Sequence, residues 1–139
     1  MSRQQPKIHA RCLAVLETMW GACADNQSAP GIFRINPHNH TGRRLYWLLG
    51  HRDLWVTNAC TEYVRNARQH GTPCPDTLSK NLQRLTYDLL LVCGKVAQDT
   101  YRNCGYVPNC RVLEIPHPAW RGWTQAKLLE TRELIQNEV

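Results

Sequence analysis

Six consecutive residues, "LLLVCG" at 89–94, constrain the fold more than any other stretch of the chain. The run has strand length and no alternation of polar with apolar side chains, the pattern of a β-strand covered on both faces. Such a strand needs a layer of helices above and below its sheet, and sheets of that kind are built mainly from parallel strands. "DLWVTNA", 53–59, and "RVLEI", 111–115, are expected as its neighbouring parallel strands in the same sheet. Helical patterns alternate with them. Thr41 is expected to cap "GRRLYWLLG", which Gly50 closes, and Asp76 to cap "TLSKNLQRLTYD", with Leu78, Leu82 and Leu85 on one face. "KVAQDTYRNCG" ends at Gly105, and "TQAKLLETRELIQNEV" forms a closing amphipathic helix. Residues 8–20, "IHARCLAVLETMW", set Cys12, Leu13, Val15, Leu16, Met19 and Trp20 on a broad helical face, with a short strand "TMWGAC" left open as the alternative. The expected architecture is α/β: a three-layer sandwich with a short, mainly parallel central sheet and helices on both faces, in a single domain spanning 1–139. In such sheets ligands bind beyond the carboxyl ends of the strands, and the loops after Asn58, Gly94 and Ile115 all lie there.

Charge narrows the partner. Seventeen Lys and Arg against 11 Asp and Glu leave a formal +6, which favours a polyanion. Thirteen of the 17 are arginines, the side chain suited to bidentate phosphate contact and to stacking on bases. The seven cysteines occur without an apolar leader or a membrane-length run, so reduced thiols in a cytoplasmic, monomeric protein are expected. No pair has C-x-x-C spacing, no metal or other cofactor is expected, and most of the cysteines read as small apolar fillers. The literal "HNH" at 38–40 lacks the separated residues of the nuclease signature.

Three residues carry chemistry at the expected edge. Asn58 ends its strand, where a side-chain amide can offer one donor and one acceptor to a base edge. His117 follows its strand in "EIPHPAW", between two prolines that fix the path of the chain, which suits a preorganised donor to charge appearing on a leaving group. Phe33, the only phenylalanine, sits in the long Gly-, Pro- and Asn-rich segment 21–40, where it either stacks on a ligand base or anchors the loop to the core.

Read in order, "PGIFRINPHNHTGRRLYWLLG", "DLWVTNA", "DTLSKNLQRLTYDLLLVCGKVAQ" and "IPHPAWRGW" give residues 21–137 a pattern that resembles the uracil-DNA glycosylase superfamily. The resemblance implies that Phe33 stacks on a flipped base, Asn58 reads its edge and His117 donates to its O2. It implies also that Trp120, Arg121 and Trp123 lie against DNA, and that the activity is hydrolysis of an N-glycosidic bond to uracil or a modified base. One motif departs from the family pattern. Members carry a glycine-led turn after the first strand with an acidic residue or asparagine, whereas "GACADN" has Ala22 and Cys23 where a carboxylate is expected. Asp25 or Asn26 would have to serve through a shifted loop. Three readings stay open: a reduced glycosylase, a nucleic-acid or nucleotide-binding protein on the same frame without turnover, or an unrelated α/β interaction domain in which "HPAW" is only a turn.

The arginine excess generates the first prediction. The protein should retain DNA through phosphates, with affinity falling steeply as salt rises, and Arg121→Ala should weaken binding across sequences. Filter binding over a salt series measures both; salt-independent retention, or none at low ionic strength, removes nucleic acid as the partner.

Overall fold

A computed structural model describes residues 7–17, 19–20, 31–51, 53–60, 63–64 and 72–137. The apolar run at 89–94 lies in β5 (Leu85–Cys93), whose last five residues are all buried. The other unbroken apolar run, "CLAVL", lies in β1 (Ile8–Leu16) and is equally buried from Cys12 to Leu16. These two strands pair in parallel at the centre of a four-stranded sheet, Cys12 opposite Leu89 and Val15 opposite Val92. β3 (Leu54–Asn58) flanks β1, and β6 (Arg111–Ile115) flanks β5, both parallel, in the order β3-β1-β5-β6. A separate pair joins β2 (Met19–Trp20) to β4 (Tyr63–Val64).

Helices cover both faces. α1 (His40–Leu49) and α4 (Gln125–Gln136) pack Leu45, Leu48, Leu49 and Ile135 over Cys12, Ala14, Val56, Leu89 and Leu91. α2 (Pro75–Leu82) and α3 (Lys95–Asn103) pack Leu78, Leu82 and Ala97 over Leu13, Val15, Leu90 and Val92. Successive residues of β5 thus enter opposite layers, as the two-residue period of a strand requires. Each fully buried leucine or valine contributes about 1.5–3 kcal/mol relative to exposure. The chain is α/β with an all-parallel central sheet.

Five expectations are corrected. Residues 8–16 are a strand, because both backbone edges of "CLAVL" are paired and both of its faces are covered; a short apolar run satisfies helical spacing by accident. Of the alternative "TMWGAC", Met19 and Trp20 do form a short strand. β1 therefore separates β3 from β5, which were expected to be neighbours. The helix expected to follow Asp76 through Asp88 stops at Leu82, and Leu85 already belongs to β5; Asp76 lies in its first turn, and Cys74 holds the cap position. Asn39, not Thr41, caps α1: its side chain accepts from the Gly42 N–H at 2.6 Å. Gly50 closes that helix with φ +75°, as expected.

Edge strand β3 is covered by its own loop. Phe33 and Val56 exchange two backbone hydrogen bonds of 2.9 and 2.8 Å, and Arg34 stacks over Trp55 at 4.8 Å. This occupies backbone groups that would otherwise invite another strand.

Gly94 joins β5 to α3 with φ 89° and ψ 164°, a region essentially restricted to glycine. Its N–H donates to the Ile115 carbonyl at 2.9 Å, and an added Cβ would lie 3.1 Å from the His117 Cβ. Gly94→Ala should lower unfolding free energy by ~1–3 kcal/mol in urea denaturation; an unchanged midpoint would show that the backbone relaxes there without cost.

Candidate functional site

From β1 the chain crosses through α1 to β3; from β5 it crosses on the other face through α3 to β6. The carboxyl ends of β1 and β5 therefore border a topological switch point, the place where open parallel sheets leave a crevice for ligands. Three groups meet around it: Glu17 directly after β1, Gly94 directly after β5, and His117, which leans over Gly94 from the end of β6. The Glu17 backbone is tied in, since the Cys60 N–H donates to its carbonyl at 2.8 Å and the Ala59 N–H to the Leu16 carbonyl at 2.8 Å.

The segment 115–124 is folded tightly on itself. The Gln98 side-chain amide donates to the Val92 and Ile115 carbonyls at 3.3 and 3.0 Å, holding β5 and β6 together beneath it. The His117 carbonyl accepts from the Trp120 N–H at 2.8 Å, closing a turn, and from the Trp123 indole N–H at 2.9 Å. The ring itself is oriented by the Ala119 N–H, which donates to Nδ1 at 3.0 Å. Burial pushes the imidazole below its ordinary range, nearby His40 adds to the shift, and Glu17 opposes it. A neutral ring whose Nδ1 accepts carries its proton on Nε2. No described residue takes that N–H, so the one remaining donor of the ring is available to a ligand.

The expected site residues distribute as follows. Asn58 ends β3 at the same edge of the sheet as His117, half-buried, and its amide has no partner among the described residues. Its strand and β6 are three strand spacings apart, roughly 14 Å. Phe33 is 7% exposed and belongs to the core beneath α1 and α4, so it anchors its loop to β3. Trp120 is 47% exposed, and Arg121 beside it is exposed. Trp123 is half-buried, edge-on to Trp120 with centroids 5.8 Å apart and an interplanar angle of 73°. Gly122 has no room for a side chain, because a Cβ there would overlap the Trp120 indole. Asp25 and Asn26 lie outside the described residues.

Two participants escaped the sequence reading. Glu17 was hidden by the helical reading of 8–20; once "CLAVL" is a strand, the next residue lands at its carboxyl end. Arg44 donates through Nη1 to the Pro118 carbonyl at 3.3 Å and lies 5.9 Å from the centre of the Trp123 ring. Nothing in the local sequence links residues 74 positions apart. Among the described residues no three His, Cys, Asp or Glu side chains gather as a metal-binding group, the cysteines are free thiols, and no helix is long and apolar enough to cross a membrane.

The depressed basicity of His117 has a consequence for stability. Between its lowered folded value and the ordinary value near ~6.5, the unfolded chain binds a proton that the folded chain does not. His117 therefore contributes fully above ~6.5, and that contribution is lost as pH falls toward the folded value. Urea denaturation at stepped pH should show stability falling with acidity over this window, less steeply in His117→Gln. Equal slopes in the two proteins would mean that His117 is not held neutral.

No family model matches the chain and no curated protein matches it, so the chemistry of the site rests on its own geometry.

Proposed function

We propose that the carboxyl edge of the sheet binds a base flipped out of DNA, uracil or a modified base, and hydrolyses its N-glycosidic bond, on a fold of the uracil-DNA glycosylase type. The observation that carries this reading is the placement of His117: an imidazole fixed through Nδ1 by the Ala119 N–H, its Nε2 without a partner among the described residues, set over Gly94 beside the topological switch point, with burial lowering its basicity. In the reaction the bond between the sugar carbon and the base nitrogen breaks, and its electron pair leaves with the base. Negative charge then grows on the base O2, where the Nε2–H donates, and a neutral donor already oriented needs no reorganisation at that moment. The sugar becomes an oxocarbenium-like cation, which water captures with loss of a proton. Glu17, which follows β1 and acts on the charge of His117, is the described carboxylate assigned to face that cation, while Asp25 and Asn26 are the alternatives from the shifted first motif.

Asn58, whose amide at the same edge has no partner among the described residues, reads the base, and a bidentate pair there discriminates by about 1–3 kcal/mol. Phe33, buried against Val56, would hold the loop beside the base rather than stack on it. Extruding a base costs a few kcal/mol, offset by stacking and edge contacts. Trp120 and Arg121, exposed just beyond His117, face the DNA in this reading. A second reading, base binding without turnover, is favoured by one feature: Ala22 and Cys23 stand where the family pattern has its carboxylate.

Single-turnover excision on oligonucleotides carrying uracil or other altered bases, followed by alkaline cleavage, tests both. His117→Ala should slow base release by ~10²–10³ while DNA affinity changes little, because the charge it meets exists mainly in the transition state. Asn58→Ala should lower both selectivity and rate. Glu17→Gln and Asp25→Ala separate the two carboxylates, since only the one facing the cation should cause a large loss. If the unaltered protein releases no base from any modified duplex or single strand, catalysis is excluded and the binding reading replaces it.

A further inference from the structure

We propose that Arg44 and Trp123 are positioning residues for His117, a clamp that reaches from α1 across the mouth of the site and holds the 116–123 turn in the one shape that aims the imidazole Nε2. The clamp has two jaws. Arg44 Nη1 donates to the Pro118 carbonyl at 3.3 Å, and its guanidinium lies 5.9 Å from the Trp123 ring centre, within the ~6 Å at which a cation is attracted to an indole face. Trp123 in turn donates its indole N–H to the His117 carbonyl at 2.9 Å. One side chain thus grips the loop on either side of the Trp120–Gly122 tip, and the gripped indole fastens the histidine backbone.

The anchor is rigid. Arg44 is flanked on α1 by Leu45, Leu48 and Leu49, all buried against the sheet, and the helix start is fixed by the Asn39 cap and by the close approach of Gly42 to the Asn36 carbonyl. The turn it holds has few other long-range hydrogen bonds among the described residues. Without the clamp, the turn retains its prolines, of which Pro118 is buried, and the Trp120 N–H to His117 carbonyl and Ala119 N–H to Nδ1 bonds, both within the same few residues. Local bonds of this kind preserve the shape of the turn but not its placement over Gly94, which is what lets the ring shed water beside Glu17 and His40. The exposed Trp120 is free for an outside contact; Trp123, with its N–H taken and Arg44 over its ring, belongs to the loop.

The test begins with the free protein, so that it does not depend on the reaction proposed above. Histidine ring NMR, with the His117 signals assigned by their loss in His117→Gln, reads the titration midpoint and the Nδ1–H to Nε2–H tautomer ratio. Trp123→Phe, which retains a ring but no N–H, and Arg44→Met, which retains the stem, should both move the midpoint up toward that of an ordinary histidine and enlarge the Nδ1–H fraction. Arg44→Lys, with the charge but not the planar stack, should fall between Arg44→Met and the parent. On DNA, both clamp variants should slow single-turnover base release by ~10- to 100-fold, with half-saturation unchanged, as expected for a misaimed donor. Where Arg44→Met lowers the thermal midpoint enough to blur its spectra, Trp123→Phe alone decides. A parent-like midpoint and tautomer ratio in Trp123→Phe overturns the clamp. Loss of the NMR signature in the variants, in a protein that releases no base, supports the clamp and removes the glycosylase reading instead.

Discussion

The double pairing of β1 is the constraint on which the rest of the molecule depends. Cys12 lies opposite Leu54 on one side and Leu89 on the other, so from Cys12 to Leu16 the strand has no free edge and no free face. Each backbone hydrogen bond contributes only about 0.5–1.5 kcal/mol net, but leaving its buried partners unmade would cost more. The pairing sets the order β3-β1-β5-β6, and that order puts the switch point between β1 and β5. Glu17, Gly94 and His117 come to one edge of the sheet because their strands end at one level, with Leu16 opposite Asn58 and Cys93 opposite Ile115.

At that edge the protein has arranged a histidine in an unusual way. Most of its hydrogen-bonding capacity is spent on its own loop: the carbonyl accepts twice and Nδ1 accepts once. Burial and His40 both work against a positive ring, and Glu17 alone favours it, so the balance leaves a neutral donor. A charged imidazolium would attract phosphate in the ground state. In the function proposed above, a neutral N–H would instead favour charge that develops during bond cleavage, which is where a catalyst gains rate. Gly94 makes the arrangement possible, since no side chain fits between its backbone and the His117 Cβ without a tight contact.

The site was partly legible in the chain. Asn58 and His117 follow from strand-end logic, because an apolar run followed by a polar residue at a parallel strand's carboxyl end falls on the ligand edge, and both lie there. Glu17 obeys the same logic and was missed, because "CLAVL" satisfies helical and strand patterns alike. Phe33 was placed in a loop correctly, and its two readings separate only when the Val56 bridge and the buried ring are seen. Trp123 carried no local sign that its N–H would turn back onto His117.

What the sequence determined by itself was composition and period: a continuous apolar run demands two helical layers, alternating helices and strands demand a parallel sheet, and prolines on both sides of His117 demand a fixed turn. These are local consequences of side-chain chemistry, readable within a window of a few residues. Only the tertiary structure decided that 8–16 is the central strand, that β1 separates β3 from β5, and that Arg44 meets Pro118 and Trp123. The reason is that pairing partners and long-range contacts are chosen by competition among all segments for the same buried positions, and no single segment carries the outcome of that competition.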